Sequence, residues 1–174
     1  MTKTVKVAGD PRIDITFEER KAQHDALLNL QKLYSVLASA NSTSNSLGNQ
    51  VDGLLKTLKK IPDVPESIIE TAKAISKEMK DIRLELAGDP KLGWRGFRTS
   101  VRGRLLMLRR AVGGYTGAPS QRQLQQIDKN SKQLKNLIKR INKVIEEDIL
   151  KLNKLMNENK VPYLIPVEKI KISE

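Results

Sequence analysis

Apolar residues recur at intervals of three and four along most of the chain, which is the period of an α-helix with one buried face. The first run follows a capping box at Thr16 and Glu19. It predicts one helix of some forty residues, roughly 65 Å long. Its seam, meaning the positions that should face a neighbouring helix, comprises Leu27, Leu30, Tyr34, Leu37, Asn41, Ser44, Gly48, Val51, Leu55 and Leu58.

The middle of this seam is polar, because Asn41, Ser44 and Gly48 stand where leucine is the usual residue. Small side chains at such positions either let two helices approach closely or mark a kink. Close packing is the favoured interpretation, since the apolar pattern resumes in phase at Val51.

Three further helices follow from the same period. A second begins near Pro65 and ends at Gly88, and a third precedes Gly113. A fourth starts at the capping box of Ser120 and Gln123 and is as long as the first. Between the second and third, a glycine-rich loop contains Trp94 and Phe97, which we expect to close over the core. The predicted seams are Ile68, Ala72, Ile75, Met79, Ile82 and Leu86; Val101, Leu105, Leu108 and Val112; and Leu124, Ile127, Ser131, Leu134, Ile138, Ile141, Ile145, Leu152 and Met156.

These lengths predict an all-α fold, a long antiparallel three-layer bundle of four helices. The chain runs up, comes down in two pieces broken at residues 94–97, and runs up again. Residues 1–15 are predicted to form a short strand and linker belonging to an upstream β-domain, because Val5 and Val7 lie on one side of a strand without a partner. Residues 16–159 would form the bundle, and residues 160–174 an extended tail.

Composition argues against most catalytic chemistry. The chain has no cysteine and a single histidine, His24, which excludes disulfides, thiolate sites and histidine pairs. Glu146, Glu147 and Asp148 are consecutive in a predicted helix, so their carboxylates point about 100° apart and cannot converge on one cation. We therefore predict no catalytic residue, no metal site and no cofactor. No apolar run reaches the ~20 residues of a membrane span.

Positive charge is concentrated in the second half of the chain. The net charge of +12 arises entirely from residues 91–174, which hold nineteen basic and seven acidic residues. The stretch KLGWRGFRTSVRGRLLMLRR, residues 91–110, is basic throughout, and a lysine stripe follows on the fourth helix. Such a surface either solvates an ordinary helix or holds a polyanion backbone, and the first is favoured. The candidate anion-binding residues are Arg95, Arg98, Arg102, Arg104, Arg109, Arg110, Lys132, Lys135, Lys139 and Lys143.

Two segments resemble a known family. VKVAGDPRIDIT is similar to the point where a β-domain ends in a valine-rich strand. The segment from RLLMLRRAVGGYTGAPS to the LNKL element at residues 152–155 resembles the terminal helical region of the same proteins. These are the bacterial sortilin-like, neuraminidase-repeat β-propeller proteins, often labelled glycosyl hydrolases. The resemblance implies an appended helical module without the propeller repeats, so no hydrolase residue is carried over.

The leading hypothesis is therefore a non-catalytic helical module, a spacer or docking surface whose partner is an upstream β-propeller or another protein domain. The alternative is a basic module that binds polyanions, with nucleic acid as the less favoured partner. The resemblance implies export to the periplasm or beyond if the chain is a piece of the longer protein. A native start at Met1 would instead indicate the cytoplasm.

Overall fold

A computed structural model describes residues 4–5, 10, 12–161, 169 and 171 of the chain. Within these residues the protein is helical and has no strand. The six α-helices are α1 (Phe17–Leu58), α2 (Glu66–Ala87), α3 (Gly93–Thr99), α4 (Val101–Gly113), α5 (Gln121–Lys143) and α6 (Ile149–Glu158). A short 3₁₀ turn, Pro90–Leu92, precedes α3, and a π-helical turn, Val144–Asp148, joins α5 to α6.

Both predicted capping boxes are confirmed. The Thr16 hydroxyl accepts a hydrogen bond from the Glu19 amide at 3.1 Å, while the Glu19 carboxylate accepts one from the Thr16 amide at 2.9 Å. Ser120 and Gln123 make the same pair of bonds at the start of α5. Each box satisfies two amides that a helix start would otherwise leave without partners.

The all-α prediction is confirmed, but the count of four helices is wrong. The helices form three long runs, namely α1, then α2 to α4, then α5 to α6. The predicted loop at residues 94–97 is helix α3 instead. Close packing explains α3, because a Cβ built on Gly96 would lie 2.3 Å from the Asp89 carbonyl oxygen. Ser100 then ends α3 and begins α4, accepting a hydrogen bond from the Gly103 amide.

The three runs pack antiparallel. Along α1 from its C-terminal part to its N-terminal part, Asp52 contacts Ser76, Tyr34 contacts Arg102 and Gln23 contacts Val112. Each run contacts both of the others, including α1 with α5. The three runs therefore form a bundle in which each run contacts the other two. In the predicted stack of three layers, the two outer layers would not be in contact.

The core follows the predicted seams except at Leu124, which is exposed, and along α1, where there is a systematic difference. All six seam residues of α2 are buried. In α1, however, Leu27, Tyr34, Asn41 and Leu55 are only half-buried, whereas Ala26, Ala40, Leu47 and Leu54 are buried. A helix that faces two partner helices buries a wider stripe than a two-stranded heptad seam does. The 3-4 spacing therefore identified the right face of α1 but drew its buried stripe too narrow.

The predicted strand and tail lie largely outside the described residues. Thr4 and Val5 have no regular secondary structure, and neither do Val161, Lys169 and Lys171. None of the described helices is both long enough and apolar enough to cross a bilayer.

Candidate binding surface

The arginines predicted from residues 91–110 divide between α3 and α4. Arg95 and Arg98 are exposed on α3 and form no ion pair with any described residue. Arg102, Arg109 and Arg110 are exposed on α4. These five side chains keep their charge available to solvent or to a partner.

Arg104, which was also predicted as an anion-binding residue, differs from these five because it is half-buried on α4. Its Nε donates to Asn130 Oδ1 at 2.7 Å and its Nη2 to Gln133 Oε1 at 2.6 Å, while Nη1 donates to the Thr99 carbonyl. Burial lowers the pKa of the Arg104 guanidinium, and the charge of Glu85 opposes that change. Arg104 thus joins α4 to α5, and its donors have partners within the protein.

Arg102, Arg109 and Arg110 lie around Tyr34 of α1. The Tyr34 hydroxyl donates a hydrogen bond of 3.4 Å to the Arg102 carbonyl oxygen. Burial raises the pKa of the Tyr34 phenol, and the positive charges of the three arginines oppose this rise. The charges of three of the six predicted arginines thus act on Tyr34.

The predicted lysine stripe of α5 is exposed, but its members differ. Lys132 forms a surface ion pair of 2.7 Å with Asp128, whereas Lys135, Lys139 and Lys143 have no ion pair within the described part of the chain. The ten predicted residues thus lie on three helices, α3, α4 and α5.

Sequence reasoning missed Arg140, the best-paired cation of α5. Its Nε lies 2.8 Å from Glu78 Oε1 and its Nη1 lies 2.6 Å from Glu85 Oε1, so it joins α5 to α2. The hydrogen bond to Glu78 contributes most to raising the pKa of Arg140. The signal was present in the sequence, because Glu78 and Glu85 are seven residues apart and share a face of α2.

The expectation that Trp94 closes the core is wrong, whereas Phe97 is half-buried. Trp94, the only tryptophan, is 60% exposed, and its ring stacks on that of Phe97 with centroids 5.3 Å apart. Leu92, two residues before Trp94, is also exposed. Together with Arg95 and Arg98 these residues form an exposed aromatic and cationic surface, here called the α3 patch.

A groove lies between α1 and the turn that leads from α2 into α3. Two adjoining clefts of about 690 and 520 Å³ form it, and both are lined by Asn41, Asn45 and Ala87. The larger cleft extends over Gly88 towards Phe97 of the α3 patch, and the smaller one extends along α1 towards Tyr34. This Asn41–Asn45 groove was not predicted, since Asn41 was assigned to the helix seam.

A polar network joins α1 and α2 at one end of the groove. The guanidinium of Arg83 lies over Gly48, where a Cβ would stand 2.9 Å from Arg83 Cζ. Arg83 donates to the Met79 carbonyl at 3.3 Å and lies 3.8 Å from Asp52, which accepts from Ser76 at 2.5 Å. The absence of a side chain at Gly48 therefore leaves room for the Arg83 guanidinium. This explains why a small residue stands at this position of the seam.

The acidic residues near the π-helical turn do not converge on a metal site. Glu146 pairs with Lys169 at 2.6 Å, whereas Asp148 lines a cleft shared with Glu78 of α2. Burial raises the pKa of the Asp148 carboxyl, and the charge of Lys143 opposes that rise. No group of three potential ligand side chains suited to a metal ion occurs among the described residues. His24 is exposed on α1.

Comparisons with protein-family models, with curated proteins and with solved structures give no match. They therefore provide no link between this chain and the sortilin-like propeller proteins. That resemblance stays a prediction based on the segment VKVAGDPRIDIT and the helical segment that begins at residue 104.

Proposed function

We propose that the chain is a non-catalytic helical module that docks another protein. The observation that carries this proposal is the α3 patch. In a chain with only 3% aromatic residues, the single tryptophan is exposed on a short helix and is stacked on Phe97. A monomer gains no stability from leaving a large apolar ring in water. Tryptophan and arginine are the residues that most often dominate binding energy at protein interfaces.

The surroundings of Trp94 support a protein partner. Arg95 and Arg98 lie on the same short helix and are exposed, so they can pair with carboxylates at the rim of an interface. The patch lies on a helix, in which Gly96 packs against the Asp89 backbone, and Ser100 caps the helix that follows. A helical surface loses less conformational entropy on binding than a loop does.

The proposed partner is the domain that the resemblance implies, a β-propeller or another exported domain encoded upstream. The valine-rich segment VKVAGDPRIDIT and the helical segment that begins at residue 104 support this part of the proposal. The coding sequence upstream of Met1 tests it directly. Propeller repeats there would support it, and their absence would contradict it.

Hydroxyl-radical footprinting tests the docking role of Trp94. The chain is compared alone and joined to its upstream region, and oxidation is measured at Trp94 and Tyr115. Tyr115 is a matched control, since it is 69% exposed but lies after α4, outside the α3 patch. We expect protection of Trp94 with Tyr115 unchanged. Equal oxidation of Trp94 in both forms would contradict docking through this patch.

The second candidate function, binding of a polyanion, is favoured by the grouping of Arg102, Arg109 and Arg110 around Tyr34. Arg104 does not support this function, because its donors already make hydrogen bonds within the protein. If about six phosphates were contacted, affinity for duplex DNA would fall with a log–log salt slope near −5. We expect no saturable binding at about 0.15 M salt. Tight binding that is lost on changing Arg102→Gln and Arg109→Gln together would favour this function over docking.

A further inference from the structure

The Asn41–Asn45 groove is lined by polar side chains that contribute no hydrogen bond to the described part of the fold. Neither side-chain amide makes a hydrogen bond to another described residue, although Asn41 is half-buried. An asparagine amide is both a donor and an acceptor, as is a peptide group. The two residues are four apart on α1, so they share one face of the helix, roughly 6 Å from each other.

That spacing matches an extended peptide. Backbone groups that point to the same side of an extended chain recur every second residue, at about 6.6 Å. The groove runs along α1 from Tyr34 to Asn45, which is about 16 Å at the helical rise. An extended segment of about five residues has the same length. Leu37 and Leu86 line the groove near Tyr34, and Leu84 and Phe97 line it nearer the α3 patch, so alternate apolar side chains would meet apolar walls.

Charge specifies the kind of peptide. Lys80, Arg83 and Lys91 line the larger cleft and Arg102 lines the smaller one, so both ends of the groove are cationic. Asp89 is the single carboxylate among the lining residues, and its oxygen already accepts a hydrogen bond from the Lys91 amide at 2.9 Å. Arg83 is partly balanced by Asp52 outside the groove, at 3.8 Å. The remaining positive charge favours glutamate or aspartate in the occupant.

We propose that the groove binds an extended acidic segment of a partner protein, with Asn41 and Asn45 hydrogen-bonded to its backbone and the cations paired with its carboxylates. This inference rests on the proposed docking function and names the chemistry of one contact. The groove adjoins the α3 patch through Phe97, so a partner seated on Trp94 can reach both surfaces.

A capped hexapeptide that alternates glutamate with leucine is the probe, and the fluorescence of Trp94 is the signal. Trp94 follows Gly93 and stacks on Phe97, both of which line the groove, so an occupant changes its environment. We expect saturable binding with one site per chain. The same peptide with glutamine in place of glutamate should bind at least about tenfold more weakly, since charged hydrogen bonds are lost.

Variants separate a peptide site from a general anion site. Asn45→Ala should weaken binding about tenfold, which corresponds to one or two hydrogen bonds. The matched control Asn49→Ala should leave binding unchanged, because Asn49 is exposed one turn later and lies outside the groove. Lys80→Gln should weaken binding, whereas Lys77→Gln, on α2 but outside the lining, should not. Helical circular dichroism and melting confirm that each variant is folded.

Three results would overturn the proposal. The first is no saturable binding of the acidic peptide, and the second is equal binding of the glutamine peptide. The third is binding of succinate as tight as that of the peptide, with Asn45→Ala without effect, which would mean an anion site alone. Footprinting of Trp94 keeps this outcome separate from the proposed function. Protection of Trp94 with a groove that binds no peptide would retain docking and remove only the groove.

Discussion

Two places in this bundle bring polar side chains between helices, and they differ in what those side chains contact. At the α4–α5 interface, Arg104 donates to Asn130, Gln133 and the Thr99 carbonyl, and the buried Asn130 also donates to the Gln126 carbonyl at 2.7 Å. In the Asn41–Asn45 groove the amides have no partner among the described residues and face an open cleft.

The difference separates polar residues that hold the fold from polar residues that are left for a partner. A buried polar group without a hydrogen bond destabilises a protein by about 1–3 kcal/mol, so Asn130 requires Arg104. Asn41 and Asn45 avoid that cost because the groove is open to water. Both kinds of residue look alike in the sequence, as asparagine within an apolar helical pattern.

The largest expected effect is a change in the free energy of unfolding at Ser44, compared with Asn41 one turn earlier on α1. The sequence pattern placed both residues in one polar layer. Ser44 is fully buried and its hydroxyl donates to the Asn41 carbonyl at 3.1 Å, whereas Asn41 lines the groove. Ser44→Leu should overpack the core and lower the free energy of unfolding by about 3 kcal/mol. Asn41→Leu should change it by no more than about 0.5 kcal/mol, because the added atoms enter open space.

Urea unfolding followed by circular dichroism measures both changes. Equal losses for the two variants would show that Asn41 is packed as tightly as Ser44. The groove would then be closed in solution, and the contrast between the two regions would disappear.

A smaller effect is expected at the α4–α5 interface. Arg104→Ala leaves the buried Asn130 oxygen without its donor and should cost about 2 kcal/mol of unfolding free energy. Arg102→Ala is the matched control two residues away on the same helix, since its side chain is exposed and should cost under about 0.5 kcal/mol. Similar losses for both would mean that the Arg104 hydrogen bonds contribute nothing measurable to stability.

Much of this fold was predictable because helix periodicity and caps are local. The two capping boxes and the α2 seam needed only residues three or four apart in sequence. Helix α3 was missed because its glycines have low helix propensity and its backbone packs closely against Asp89 on one side and Gly103 of α4 on the other. A local pattern carries no information about such contacts.

The candidate site was predictable only as an excess of charge. The sequence indicated a basic stretch at residues 91–110, but the partners of each arginine depend on how α4 is rotated against α1 and α5. Arg104 and Arg102 are two residues apart, and that rotation turns one towards Asn130 and leaves the other exposed. The groove was invisible for the same reason, because its walls come from α1, α2 and α3 together.

The smallest effect distinguishes two glycines of α1. Gly53 is exposed and a Cβ added there would meet no atom within 4 Å, so Gly53→Ala should stabilise the helix by about 0.5–1 kcal/mol through backbone entropy alone. Gly48→Ala brings the same benefit but places its Cβ 2.9 Å from Arg83 Cζ, and the guanidinium must move. We therefore expect a smaller rise in unfolding free energy for Gly48→Ala, together with weaker binding of the acidic peptide in the groove.

Urea unfolding and Trp94 fluorescence measure the two quantities, with Gly53→Ala as the control for both. Equal stabilisation and unchanged peptide affinity would show that the position of Arg83 matters neither to the α1–α2 contact nor to the groove.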